Sequence, residues 1–302
     1  MKLEEVNIDI ECAIELESKL NKPFIKEIHS KYCNSIHQVF TLLSSPLILM
    51  TLAMTKVKET HLSIESAVKL GLFFNKPPKD PKDTAKHLVD FFQEQIDKAN
   101  KNVYEEAIQE ANSLYEKSNE IKDCFTNIGS NALINSWTLF ESYSKDIWIN
   151  CLNEYPRLLN QKLINSSSVD NESDIFGKTI PIHLLSKYNF NISNHLGEIL
   201  SQKYEFTRSD GIKKAYKDLL SVEESELHFL NDDNLNQLEI VRHILVHNSG
   251  IIDNKYLNRS KRSGEIVATK LTISIEEVNT MINASIYSIN KILLLTDRIN
   301  FV

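Results

Sequence analysis

The sequence predicts an all-α protein, and three observations carry that prediction. Glycine and proline number only seven each in 302 residues, whereas sandwiches, barrels and doubly wound sheets use both at many tight turns. Apolar residues recur at helical spacing along most of the chain. Residues that favour helix N-caps, among them Ser130, Asp232, Asp233 and Ser274, stand directly ahead of such apolar stretches.

Taken in order, residues 3–20 carry Leu3, Val6, Ile10, Ile14 and Leu16 among acidic residues, and residues 24–43 carry Phe24, Ile28, Tyr32, Ile36 and Phe40 at spacings of four. Both stretches read as amphipathic helices. Three prolines among charges in NKPPKDPKD, residues 75–83, cannot continue a helix and mark the best domain boundary. Asp83 or Thr84 then caps a long helix running to about residue 120, with Leu88, Phe91, Phe92, Ile96, Val103, Ile108 and Leu114 as its apolar positions. A further helix is expected from Ser130 to about Tyr155, stopping before Pro156. Trp137, Phe140, Ser144 and Trp148 fall near one face of it and read as core packing.

Residues 165–180, NSSSVDNESDIFGKTI, are polar and unpatterned and read as a surface loop. Shorter helices come next over 193–206 and 210–220, then a helix that starts at Asp232 or Asp233. The segment GEIVATKLTI, residues 264–273, is rich in β-branched residues and is expected to form a short β-hairpin arm with KYLNRS before it. Ser274 and Glu277 make a capping box for the last helix, whose Val278, Met281, Ile282, Ser285, Ile289 and Leu293 point inward. The chain thus divides into an N-terminal helical region (1–82), a long connecting helix (83–120) and a helical domain (121–302).

The formal charge of −7 excludes a generally basic surface, so any contact with nucleic acid must be local. Cys12, Cys33, Cys124 and Cys151 lie far apart and form no metal-ligand spacing, which disfavours a disulfide framework or a zinc knuckle. Pairs such as His29 with His37 and His183 with His195 lack metal spacing as well. No nucleotide-binding glycine-rich loop is present. Neither a metal nor a cofactor is expected. The N-terminal MKLEEVNIDIEC is acidic where a signal peptide is basic and then apolar. The most apolar run, Pro46 to Met54, is too short to span a bilayer. A cytoplasmic location, without membrane attachment, is therefore expected.

The informative stretch is DDNLNQLEIVRHILVHNSGIID, residues 232–253. Leu235, Leu238, Val241 and Leu245 make an apolar stripe, Asp232 and Asp233 supply a cap and a negative charge at the positive end of the helix dipole, and Gly250 allows a left-handed stop. Arg242 then lies inside the helix and His247 in its last turn. Five residues rotate a side chain by about 140°, so the two do not share one stripe. They converge on one ligand only if the Arg side chain bends toward the helix end, or if another helix or a second subunit completes a cleft. A guanidinium stays charged and grips phosphate with parallel hydrogen bonds. Histidine takes and returns a proton near neutrality. Together they suffice for metal-free RNA cleavage, His deprotonating a 2′-hydroxyl and Arg stabilising charge on the phosphoryl oxygens. His243 and Asn248 are supporting candidates: His243 as a phosphate donor, a positioning group for His247 or a packing residue, and Asn248 as a site amide or an ordinary helix cap. Glu141 reads first as a solvated residue and second as a candidate acidic partner for Arg242. Lys255, Arg259, Lys261 and Arg262 form a basic cluster that reads either as a guide for the RNA backbone or as a solvated loop.

The segment LEIVRHILVHNSGIID resembles the RxxxxH signature of HEPN proteins, in which a polar residue usually comes after the Arg; here Arg242, His243 and His247 fill the pattern. HNSGIIDNKYL resembles the stretch immediately downstream of that signature in bacterial HEPN proteins of toxin and phage-defence loci, and SWTLFESYSKDIW resembles the first core helix of the group. The resemblance covers residues 120–300. It implies a HEPN-like helical bundle with an N-terminal helical extension, a homodimer through the HEPN domain, and metal-independent endoribonuclease activity leaving a cyclic phosphate. It also implies a toxin or antiviral defence setting with an antitoxin or other defence-system partner. The alternative is a noncatalytic HEPN scaffold that binds RNA, a nucleotidyltransferase-type partner or itself.

Overall fold

The computed structural model describes residues 6–74, 90, 93, 102–156, 182–192, 194–220, 222–260, 262 and 264–298. Among them the regular elements are all helical, and the one strand-like contact is an isolated antiparallel bridge between Ile251 and Lys270. The α-helices are α1 (Ile10–Glu15), α2 (Pro23–Phe74), α3 (Val103–Lys117), α4 (Asn119–Glu154), α5 (Ile182–Lys187), α6 (Leu196–Ser201), α7 (Ser209–Leu220), α8 (Asp233–His247), α9 (Asn254–Arg259) and α10 (Ile275–Arg298). Short 3-10 helices cover Leu16–Lys19 and Glu224–Asn231. The expected boundary at 75–83, the cap at Asp83 or Thr84 and the loop at 165–180 lie outside the described residues.

Contacts within the chain define two units, Met1–Val6 with Leu42–Asn127, and Asn7–Thr41 with Ile128–Val302. Residues 7–41 thus belong with the C-terminal helices, and the reason is visible in α10. Its Asp297 carboxylate accepts the backbone amides of Asn21 and Lys22 at 2.9 and 2.8 Å and the Asn21 side-chain amide at 2.9 Å. These amides precede the first turn of α2, so Asp297 caps that helix from a distant part of the sequence. Upstream, the Asp9 amide donates to Asn283 Oδ1, and Asn283 Nδ2 returns a bond to the Asn7 carbonyl, both at 2.9 Å.

The core of this unit is apolar and aromatic. Tyr32 on α2 meets Tyr143 on α4 edge to face at 5.1 Å, and Ser35 shares a 2.9 Å hydrogen bond with the Tyr143 hydroxyl. Trp137, Phe140, Ser144 and Trp148 are all buried, as their spacing predicts. Trp148 Nε1 donates to the Ala215 carbonyl at 2.9 Å and the Tyr216 hydroxyl to that of Ser144 at 2.7 Å, which fastens α7 to α4. Helix α10 buries Val278, Met281, Ile282, Ser285, Ile289 and Leu293. Its capping box is present: the Ser274 amide donates to Glu277 Oε2 at 2.8 Å and the Glu277 amide to Ser274 Oγ at 3.1 Å.

In the other unit, α3 and the start of α4 bury Ala111 and Phe125 against Met50, Tyr115 and Ile121, and Lys58 pairs with Glu106 at 2.7 Å. Pro46 leaves the Leu42 carbonyl without its helical donor, and the Ser45 hydroxyl supplies one at 2.8 Å, so α2 continues. The apolar run Pro46 to Met54 therefore sits inside a much longer helix. Within Pro23–Glu65 an 18-residue window reaches a mean hydropathy of 1.5, which is long and apolar enough to cross a membrane by length and composition.

Three elements differ from expectation. The helix expected to begin at Ser130 begins at Asn119 and runs unbroken through Gly129 and Ser130. The expected connecting helix is interrupted at Asn102, whose backbone (φ −125°, ψ 17°) is non-helical and which is the N-cap of α3; α3 then ends at Lys117, close to the expected end, with Ser118 extended (φ −126°, ψ 124°). Residues 255–259 of KYLNRS are helical rather than one arm of a hairpin. The segment before α10 instead pairs with residues 250–252, through Ile252 N to Thr269 O, Ala268 N to Ile252 O and Leu271 N to Gly250 O at 2.8–2.9 Å.

Candidate functional site

Helix α8 is set by its two ends. The Asp232 side chain accepts the amides of Asn234 and Leu235 at 2.9 and 3.0 Å, the N-cap its position predicts. At the far end Ser249 (φ +52°) and Gly250 (φ +76°) both turn left-handed, and the Gly250 amide returns to the Ile244 carbonyl at 3.0 Å. Between them Leu235, Leu238, Val241 and Ile244 are buried. The same helix carries Glu239, Arg242, His243 and His247.

These four residues line one pocket of about 540 Å³, together with Trp137 of α4, Glu205, Thr207 and Arg208 of the loop before α7, and Lys255 and Arg259 of α9. Arg242 and His247 thus meet without sharing a stripe, because neighbouring segments of the same chain complete the cleft. Four permanent cations, Arg208, Arg242, Lys255 and Arg259, face two carboxylates, Glu205 and Glu239. The pocket carries net positive charge in a protein whose formal charge is −7.

Glu239 organises one wall. Its Oε2 accepts the Ser209 amide at 3.0 Å and the Ser209 hydroxyl at 2.8 Å; its Oε1 takes Arg259 Nη2 at 2.8 Å and lies 3.8 Å from Arg208 Nε. The carboxylate is mostly buried, and these donors compensate it. The loop that carries Arg208 is pressed against the start of α7: a Cβ on Gly211 would lie 1.9 Å from the Glu205 carbonyl oxygen, so only glycine fits there.

Arg242 is differently placed. Its Nε is buried without a hydrogen-bond partner, as is Nε1 of Trp137. Glu141, the expected acidic partner, makes no ion pair with Arg242 among the described residues and is not part of the pocket wall. It feels the guanidinium at longer range: burial raises the Glu141 carboxyl pKa, and Arg242 and Lys145 oppose the rise. The rings of His243 and His247 are 4.6 Å apart. Burial lowers the His243 pKa from its ordinary value, and Lys255, His247, Arg259 and Arg242 lower it further.

The remaining expected residues separate. Asn248 caps α8: its amide bonds Ile244 O and its side chain donates to Ile251 O. It also borders a smaller pocket of about 130 Å³ that shares His243, His247, Lys255 and Arg259. Lys255 and Arg259 line the main pocket, and Lys261 lies outside the described residues. Arg262 is directed elsewhere, as a brace. Its Nη1 pairs with Glu265 at 2.7 Å, its Nε with Glu277 at 2.9 Å, and its Nη2 donates to Thr272 O at 2.8 Å. Arg208, Glu239 and Trp137 are pocket residues that sequence reasoning missed. Glu239 alone had a local signal, a charge one turn ahead of His243 on a helix with an apolar stripe. Among the described residues, no group of three or more His, Cys, Asp or Glu side chains stands where it could hold a metal ion.

Comparison with known proteins gives no match: no family model, no curated protein and no solved structure matches the chain.

Proposed function

We propose that this chain is a metal-independent endoribonuclease of the HEPN type, acting in a toxin or anti-phage defence setting. The observation that carries the reading is the convergence of Arg242, His243 and His247 with Lys255, Arg259 and Arg208 around one electropositive pocket.

In this reading the scissile phosphate sits against Arg242, whose buried Nε has no hydrogen-bond partner among the described residues. His247, exposed at the end of α8, removes the proton of the adjacent 2′-hydroxyl. The oxygen attacks phosphorus while Arg242 stabilises the charge growing on the phosphoryl oxygens. The bond to the 5′-oxygen breaks, that oxygen takes a proton from solvent, and His247 releases its own. The products are a 2′,3′-cyclic phosphate and a 5′-hydroxyl. His243, kept uncharged near neutrality by burial and nearby cations, positions His247 through their ring contact. DNA lacks the attacking hydroxyl and is spared.

The test is RNA integrity on a gel with chelator present, for the wild type, Arg242→Ala and His247→Ala. Each variant is expected to lose at least about 100-fold in rate, the usual contribution of a general base or an oxyanion donor. An RNA that the wild type leaves intact, or that both variants cut as fast, defeats the enzyme reading. Loss of cleavage on adding chelator defeats its metal-free form.

A further inference from the structure

The pocket is larger than one phosphate requires, and its cations fall in two groups. Arg242, His243 and His247 occupy the C-terminal half of α8. One turn earlier Glu239 gathers Arg259 at 2.8 Å and Arg208 at 3.8 Å about a single carboxylate oxygen. Two guanidiniums so close repel each other, and Glu239 compensates only one charge, which leaves net positive charge at that end. From Glu239 to His247 the helix rises about 12 Å, several times the roughly 3.4 Å step per nucleotide of a stacked strand. Each guanidinium has five N–H donors. The guanidiniums of Arg208 and Arg259 retain most of theirs, since among the described residues their side-chain contacts are to Glu239 and, for Arg208, Asp210 at 3.7 Å.

We propose that the pocket recognises RNA as at least two consecutive phosphates, the scissile one at Arg242, His243 and His247 and a flanking one at Arg208 and Arg259, with Glu239 as the positioning residue. The inference rests on the ribonuclease reading for which phosphate is cut. The second subsite rests on Glu239 and its two arginines. Substrate is then a single strand with a backbone on one side of the cleavage point, and a nucleotide bearing one phosphodiester is a poor ligand. Glu239 touches no RNA: it holds Arg208 and Arg259 together and ties the loop before α7 through Ser209.

The experiment uses the full chain and fluorescein-labelled 2′-deoxy oligonucleotides, which bind without being cut. One probe is a dinucleotide with a single phosphodiester and the other a trinucleotide with two. The wild type is expected to bind the trinucleotide roughly tenfold more tightly, the scale of a charge-assisted contact. Arg208→Ala removes that advantage, costs the trinucleotide far more affinity than the dinucleotide and lowers the salt slope by about 0.7, one phosphate of a single strand. Arg208→Lys, which keeps the charge, restores part of the advantage. In cleavage of RNA, Glu239→Gln raises KM with kcat nearly unchanged. Equal affinity of the wild type for the two probes, no binding of either, or equal loss on both in Arg208→Ala overturns the second subsite. Intact RNA in the gel assay with the binding difference preserved defeats the ribonuclease reading alone.

Discussion

The rings of His243 and His247 stand 4.6 Å apart, tilted by 46°, one helical turn from each other on the wall of the pocket. Burial, and after it the charge of Lys255, holds His243 below its ordinary pKa of about 6.5. Its imidazole proton signals are expected to titrate below that value in the free protein and to move upward when inorganic phosphate fills the pocket and offsets the cations. Because the folded form resists the proton, the unfolded chain binds more protons below about pH 6.5, and this residue's contribution to stability falls as the pH drops through that window. An NMR titration that places His243 at or above its ordinary value contradicts the electrostatics described.

Arg262 and Lys255 lie within one basic cluster in sequence and should behave oppositely. Arg262→Ala breaks contacts to Glu265, Glu277 and Thr272. It is expected to cost about 1–2 kcal/mol, read as a lower Tm, with RNA affinity unchanged. Lys255→Ala should leave stability within about 0.5 kcal/mol of the wild type and weaken RNA binding. The reverse pattern would mean that Arg262 belongs to the RNA surface.

Asp297 supplies an acid-sensitive cap. Burial opposes ionisation of its carboxyl, but the amides of Lys22 and Asn21 outweigh it and hold the pKa below the usual aspartate range. The stability it contributes is therefore present above about pH 3.9 and is lost as the pH falls through the lower folded value. Urea melts should show Asp297→Ala less stable than the wild type by about 1 kcal/mol at pH 7, the usual worth of a helix cap. The gap should narrow near pH 3. A gap that stays constant with pH would exclude the carboxylate as its source.

Gly211 is a packing test of the pocket wall. An added methyl would meet the Glu205 carbonyl oxygen at 1.9 Å, so Gly211→Ala should destabilise by more than about 2 kcal/mol and weaken RNA binding by displacing Arg208. Lys214→Ala, on the exposed side of the same helix, serves as the neutral comparison. An unchanged Tm in Gly211→Ala would show that the loop has room to move.

What the sequence made legible was local. The Asp232 cap, the Gly250 stop and the Ser274–Glu277 box each depend on residues within a few positions of one another, and each is found where spacing places it; the α8 stripe holds at Leu235, Leu238 and Val241, but its last buried position is Ile244 and not Leu245. The β-branched segment before α10 reads as one arm of a hairpin with its immediate predecessor. Its partner is residues 250–252, beyond a helical turn, because a backbone bridge is chosen by tertiary proximity and not by which residues come just before. Ser130 reads as a helix start, yet packing along α4 overrides that local preference. Arg208 carried no sequence signal, since its place in the pocket depends on Glu239 about 30 residues later.

The Asp297 cap also bears on the order in which the protein assembles. The first turn of α2 waits for a carboxylate 276 residues further along the chain. During synthesis the early helices leave the ribosome long before that partner exists. The unit that contains the pocket can complete its bonds at Asn21 and Lys22 only after α10 has emerged.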